Sequence, residues 1–440
     1  MTARPGPVRQ NVLYSLAEFG SLPLLMLATA PMLLRSLGQQ QYGTWMLVNS
    51  VAATAGGLGG GFGDAATRYI ALHRGRGDRL GVNRSLFAVL LINCVLGTIA
   101  SATVIGLAPF LADEVFKIGP ALRGEAVSAI RIAGLILALR FPAAVFMSAT
   151  RAYERYRPVV LVTVLSRGAL MIGAVALARN GFGLLSILLT TVIVEAASLA
   201  AQAVITITLI GVRVPSSSHL IQGLKEVLEF GLFTWLKSAV SVMFGHADRL
   251  LVGALLGVAP LAIYVLCNQV AQFIPAVIAS GFNFLFPNLT AALGTEGMNS
   301  AERSYRRASA IAVGLVAAMS FVLWIVGQRL LRVWIGGSSP EQYPGLLAAL
   351  IAGYSLLALS VVPQYTALSL GRSRQLAMVN VVAGVASLAV GYALLRYIGV
   401  LGIGLAKVVA GGISLCVISI VTTAFRPQTT IQRALHESVS

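Results

Sequence analysis

The feature that most constrains this chain is a series of apolar runs, each long enough to cross a bilayer as a helix. One crossing takes about 20 mainly apolar residues. Twelve stretches qualify, near residues 11–34, 43–63, 86–108, 126–149, 158–178, 183–210, 227–256, 260–288, 307–327, 345–369, 376–395 and 400–424. The runs are continuous rather than alternating, which favours helices over the strands of a membrane barrel. Only 11% of the residues are charged, whereas a soluble domain needs roughly 25% to cover its surface. The expected fold is therefore all-α and polytopic, with about twelve transmembrane helices. The apolar stretch after residues 1–10 is too long for a signal peptide and lacks its small-residue cleavage site. It is expected to be the first span.

The net charge is +17. The basic residues are scattered between apolar runs and form no basic domain, which argues against nucleic acid as a partner. Lysine and arginine in short loops set orientation instead. One side of the expected topology carries Arg4, Arg9, Arg68, Arg74, Arg76, Arg79, Arg84, Arg151, Arg155, Arg157, Arg213, Lys225, Arg303, Arg306, Arg307, Arg372, Arg374, Arg426 and Arg433. The other side carries Arg35, Lys117, Arg123, Arg179, Arg329, Arg332 and Arg396. The bias alternates loop by loop. It predicts an even number of spans with both termini in the cytoplasm, and it accounts for most of the net charge without a ligand. The largest loops, near 109–125 and 328–344, are too short to fold as domains.

The two halves of the chain repeat a pattern. Glu18-Phe19-Gly20, Leu37-Gly38 and Tyr42 are followed by a long span and a basic loop. Glu229-Phe230-Gly231, Leu256-Gly257 and Tyr264 are followed by the same. Six spans per half make the repeat parallel, with expected bundles at 1–212 and 213–440. Substrate sites in repeats of this kind lie between the halves near the midplane. Proline and glycine inside spans, at Pro23, Pro31, Pro142, Pro275, Pro287, Pro363 and Gly56–Gly63, serve either as hinges or as ordinary packing residues.

Six basic residues remain inside spans once the loops are removed: Arg131, Arg140, Arg167, Lys237, Arg249 and Lys407. Each costs at least about 2.5–3.5 kcal/mol at the bilayer centre, so each should face a polar interior. Arg131 lies near the start of its span and can also snorkel to the interface. Lys237 and Asp248 are eleven residues apart, close to one helix face. The acidic residues in or beside spans are Glu18, Asp64, Glu195 and Asp248. Buried carboxylates are candidate H+ or Na+ coupling sites, or they neutralise a neighbouring arginine. The balance describes a cavity more cationic than anionic. Such a cavity suits a phosphate, a pyrophosphate or an acidic sugar, which arginine grips as a fork.

No catalytic constellation is present. His73, His219, His246 and His436 show no metal-ligand spacing, and there is no nucleophile elbow or phosphate loop. Cys94, Cys267 and Cys416 sit in apolar runs as packing residues. Neither a metal nor a cofactor is expected. A multidrug or cation antiporter would carry more carboxylates than cations. A membrane polymerase or ligase would carry a large catalytic loop. A purely structural subunit would leave the charges inside the spans unexplained.

Some motifs resemble a known family. Pro31 and Leu37-Gly38-Gln39-Gln40-Gln41-Tyr42-Gly43-Thr44-Trp45 are followed by Gly63-Asp64-Ala65-Ala66-Thr67-Arg68-Tyr69. Asp248-Arg249-Leu250-Leu251-Val252-Gly253 precedes Leu256-Gly257 and Tyr264, and Tyr153-Glu154-Arg155-Tyr156 follows the fourth span. Together they resemble bacterial O-antigen (Wzx-like) polysaccharide flippases of the multidrug/oligosaccharidyl-lipid/polysaccharide exporter superfamily, from about residue 10 to 425. The resemblance implies two six-helix bundles in a MATE-like arrangement with pseudo-two-fold symmetry, in the bacterial inner membrane. It implies ion-coupled alternating access that moves undecaprenyl-pyrophosphate-linked repeat units between leaflets. Membrane lipid and polysaccharide assembly proteins are its implied neighbours. The six cations would bind substrate, and Glu18, Asp64, Glu195 and Asp248 would couple the ion. Twelve spans depart from the fourteen of peptidoglycan-precursor flippases.

Overall fold

In a bilayer the backbone must satisfy its own hydrogen bonds, and a continuous apolar run does so as a helix. The computed structural model describes residues 8–282, 285, 289, 298–335 and 345–425. It contains helices and no strand among those residues. Nine of its helical segments are long and apolar enough to cross a membrane. The chain divides into two compact units, Met1–Val265 and Leu266–Ser440.

The first unit holds α1 (Val8–Gly75), α2 (Arg79–Phe110), α3 (Pro120–Ala152), α4 (Tyr156–Arg179), α5 (Leu184–Ile210), α6 (Ser217–Leu256) and the start of α7 (Val258–Phe282). The α1 run is two helices that meet at a kink at Gly38, between the first two expected spans. The polar run Gln39-Gln40-Gln41 lowers hydropathy there and opens the second of these helices. Thr44 Oγ1 still donates to the Gln40 carbonyl at 2.9 Å, a one-turn contact. Gly38 has φ 75° and ψ 169°, a conformation that strains residues with a Cβ. Gly257, between α6 and α7, repeats it with φ 86° and ψ −176°.

The loop expected at 109–125 is also mostly helical. A wide turn follows α2, with Phe116 N–H donating to the Leu111 carbonyl. Only Phe116–Gly119 remain outside helices before α3. Asp78 caps α2 by accepting from the Gly81 N–H at 2.8 Å. That contact holds its carboxyl below the usual range, against the opposing effect of partial burial; His73 and Arg84 add to the lowering.

Within this unit α1 packs against α2, α3, α4 and α6, while α3 packs on α2 and α5. Small residues permit the approach. A Cβ on Gly134 would lie 2.5 Å from Ile105 of α2, and one on Gly97 would lie 2.8 Å from Phe141 of α3. The core at the arginine-rich end joins Ile70 of α1, Leu86 of α2, Ala149 of α3 and Val227 of α6.

The second unit holds the rest of α7, then α8 (Met298–Ile335), α9 (Leu346–Ser369), α10 (Ser373–Ile398), α11 (Leu401–Ser414) and α12 (Cys416–Phe425). The last expected span is α11 and α12 together. Helix α11 packs on α9 and α10. Glycines set that contact, since a Cβ on Gly353 would meet the Lys407 backbone at 2.6 Å. One on Gly402 would meet Leu394 at the same distance.

The repeat survives as backbone geometry. Positive φ recurs at Gly38 and Gly257, at Glu154 and Gly371, and at Gly181 and Gly399. Each pair is separated by close to half the chain. Helices α3, α7 and α9 continue through Pro142, Pro275 and Pro363. Pro287 lies outside the described residues.

Candidate functional site

Two of the residues singled out by sequence form one pair. Arg140 of α3 donates from Nη2 and Nε to Glu195 Oε1 of α5, at 2.7 and 2.8 Å. At 1.5 Å per residue, Arg140 lies about 18 Å from the arginine-rich end of α3. Glu195 lies about 16 Å from the opposite end of α5. Both are deep within their spans. The Arg140 side chain keeps 36% of its surface accessible and that of Glu195 18%. One carboxylate oxygen takes both donors, so the guanidinium retains N–H groups for a second anion. Along the same α3–α5 seam, Thr150 and Thr206 share a 2.9 Å hydrogen bond, and Thr206 Oγ1 lies 3.0 Å from the Phe146 carbonyl. Gln202, two turns from Glu195, is fully buried with neither amide atom hydrogen-bonded.

Arg131 is exposed and precedes Arg140 by nine residues, which puts it on the opposite face of α3. The structure does not bring these two together. Arg167 is half-buried on α4 and engaged within the fold. It lies one turn before Met171, whose sulfur contacts Thr29 of α1 at 3.4 Å, so it shares the α1-facing side.

A second polar centre lies across the Gly257 bend. The bend folds α7 back along α6 and brings Tyr264 to Asp248. The Tyr264 hydroxyl donates to Asp248 Oδ2 at 2.5 Å, and the Arg249 N–H donates to Oδ1 at 2.8 Å. Asp248 is 4% exposed and Tyr264 fully buried. Arg249 is half-buried, and its Nε has no hydrogen-bond partner. The side chains of Glu18, Asp64 and Lys237 lie outside the described residues, so their assignments are neither placed nor grouped.

In the second unit, Lys407 of α11 is half-buried and engaged, with its backbone against Gly353. The next residue on α9, Tyr354, donates to Asn268 Oδ1 of α7 at 2.7 Å, and both are buried. A separate groove of about 540 Å³ between α8 and α9 is lined by Phe321, Trp324, Ile351 and Leu356 without any charge. Lys407 is thus set apart from that groove, whose lining it does not share.

Sequence reasoning passed over Gln202, Asn268 and Tyr354. Each is uncharged, and a lone amide or tyrosine in an apolar run carries no periodic signal. No group of three histidine, cysteine, aspartate or glutamate side chains with metal-binding geometry occurs among the described residues.

Known proteins resemble the chain in sequence family and in fold. Residues 82–340 match the family described as polysaccharide biosynthesis protein. No curated protein matches the chain in sequence. Among solved structures, the chain resembles the inward-facing conformation of a multidrug resistance MATE family transporter of the MOP superfamily. Identity is 19% over 98% of this chain and 96% of that one, with a TM-score of 0.66. It also resembles a MOP superfamily transporter from Pyrococcus furiosus whose binding pocket is described as reversed in polarity. There identity is 16% over 96% and 98%, with a TM-score of 0.64. A eukaryotic MATE transporter, AtDTX14, matches at 13% identity over 98% and 100%, with a TM-score of 0.59. At these identities the likeness concerns the fold.

Proposed function

From the premise that this chain belongs to the polysaccharide biosynthesis protein family, within the MOP superfamily, we propose that it carries lipid-linked glycan across the inner membrane. The cargo is an undecaprenyl-pyrophosphate-linked repeat unit, moved from the cytoplasmic to the periplasmic leaflet. Both termini face the cytoplasm, as the loop charges require. The protein performs no covalent chemistry on the glycan. Its neighbours are membrane lipid and the proteins that assemble the polysaccharide.

The observation that carries the reading is Arg140. It is a half-accessible guanidinium deep in a span, already holding one carboxylate and with donors to spare. A pyrophosphate oxygen fits those donors as a charge-assisted partner. Lys407, Arg167, Arg249, Lys237 and Arg131 supply further positive charge along the path. The polyprenyl tail stays in the bilayer while the headgroup crosses.

The Arg140–Glu195 pair also offers a route to coupling. The pyrophosphate uses the spare donors while Glu195 stays on the same guanidinium. Once the cargo has left on the periplasmic side, the driving cation, H+ or Na+, takes the Glu195 carboxylate and is carried inward on the return. Glu18, Asp64 and Asp248 remain further coupling candidates, but Asp248 already accepts a hydrogen bond from the buried Tyr264 hydroxyl, and Glu195 is better placed. A multidrug or cation antiporter would need a carboxylate open to an organic cation.

The reading is tested by deleting the gene in its host and measuring lipid-linked oligosaccharide in the inner leaflet. Accumulation is expected, cured by the intact gene. Arg140→Ala and Lys407→Ala should each restore export about tenfold less well while inserting normally. Normal surface polysaccharide in both variants contradicts the cationic path.

A further inference from the structure

The arginine-rich end of the first unit holds an ionisable cluster that plays no part in the cargo path. His73, in the last turn of α1, is 2% exposed. Its Nδ1 lies 3.2 Å from Asp78 Oδ2, in the turn between α1 and α2. Its Nε2 lies 3.6 Å from Glu226 Oε1 of α6. Neither ring nitrogen completes a hydrogen bond, although both are buried and aimed at carboxylates. Arg84 of α2 reaches the same Glu226 at 3.1 Å.

The surrounding charges are accounted for. Arg74 turns away to the Ala152 carbonyl, at 3.1 Å, and to the Tyr153 ring. Arg76, Arg79, Arg213 and Lys225 are exposed. The cluster thus sets two partly exposed carboxylates and one guanidinium around a buried imidazole. A proton on the ring makes it two positive charges against two negative ones. It also turns both ring nitrogens into donors facing acceptors.

The packing makes this cluster a hold on α6. A Cβ on Gly223 would lie 2.8 Å from the Arg84 carbonyl, and one on Gly231 would lie 2.7 Å from Phe62 of α1. Val227, beside Glu226, is fully buried in the core at this end. The first turns of α6 therefore rest on α1 and α2, with Glu226 at the contact. They also open the second half of the repeat.

We propose that His73 is a proton-binding site that sets how firmly the start of α6 is held against α1 and α2. With the proton bound, α1, α2 and α6 are tied through Asp78 and Glu226. With the proton lost, one of the charges that attracts Glu226 disappears, and the start of α6 loosens. This restraint does not depend on which cargo the chain moves.

Hydrogen exchange of the full-length protein in nanodiscs reads it directly, at pH values about one to two units on either side of the ordinary histidine range. After correction for intrinsic exchange, amides in 217–230 should be protected about tenfold more at the lower pH, the effect of one charge-assisted contact. His73→Gln should remove the difference, leaving α10 unchanged. Equal protection of the wild type at both pH values overturns the proposal, as does a His73→Gln protein that keeps the difference. Glu226→Gln reads the same contact from α6, should His73→Gln fail to fold. It must shrink the difference, and an undiminished difference again overturns the proposal. Transport is not the readout, so the result is independent of the cargo assignment.

Discussion

The bend at Gly38 and the bend at Gly257 share a backbone and differ in chemistry. Both glycines adopt positive φ with extended ψ, and each stands at the junction of two successive helices. Nine residues before the first bend is Thr29, whose hydroxyl returns to the Leu25 carbonyl at 2.7 Å. Nine residues before the second is Asp248, which instead accepts from Tyr264 across the bend. Tyrosine follows each glycine, but Tyr264 comes three residues later in register than Tyr42, close to one helical turn. A further difference follows the tyrosines. Gly43 presses on the Val258 backbone, whereas its counterpart Val265 is a buried side chain. The repeat has kept the bend, while the second copy has a buried carboxylate, Asp248, where the first has Thr29.

The sharpest way to break this comparison is at Gly43. A Cβ there would lie 1.9 Å from the Val258 carbonyl oxygen, a backbone atom that cannot move aside cheaply. Gly43→Ala should cost more than about 3 kcal/mol, seen as a large fall in thermal midpoint or a failure to fold. Next is Tyr264→Phe, which leaves the buried Asp248 carboxylate without its side-chain donor. It should cost about 2 kcal/mol in the same melt, against less than about 1 kcal/mol for Thr29→Ala in the other copy. Equal losses would mean that Asp248 is not held by Tyr264. Losses between those of Tyr264→Phe and Thr29→Ala are expected at the bends themselves. No atom lies within 4 Å of a Cβ at Gly38 or Gly257, so alanine pays only for the backbone, about 1–2 kcal/mol at each. A marked inequality between these two would show that the bends are not equivalent.

The same contrast explains what the sequence disclosed. Apolar length is a local property, so the spans were legible, and so was the pairing of Leu37-Gly38 with Leu256-Gly257. The direct junction at Gly38 was not, because Gln39-Gln40-Gln41 look like a loop by hydropathy although they begin the next helix. Residues 109–125 misled in the same way, since charge at a helix end resembles a connection. The charges inside spans were visible one by one. Their grouping was not. Arg140 and Glu195 are 55 residues apart on helices whose adjacency no local pattern reveals. Assigning one to substrate and the other to the coupling ion separated two halves of a single contact. His73 was set aside for want of metal spacing, and its partners come from a turn and from α6.

The central claim is that the cations inside the spans serve an anionic lipid-linked glycan. Reconstitution tests it most directly, with the purified chain in liposomes containing undecaprenyl-pyrophosphate-linked oligosaccharide in one leaflet. The account predicts protein-dependent appearance of the glycan in the other leaflet, slowed by added inorganic pyrophosphate and reduced about tenfold or more by Arg140→Ala. Glycan that stays in its original leaflet, while an organic cation moves in its place and pyrophosphate has no effect, would contradict it.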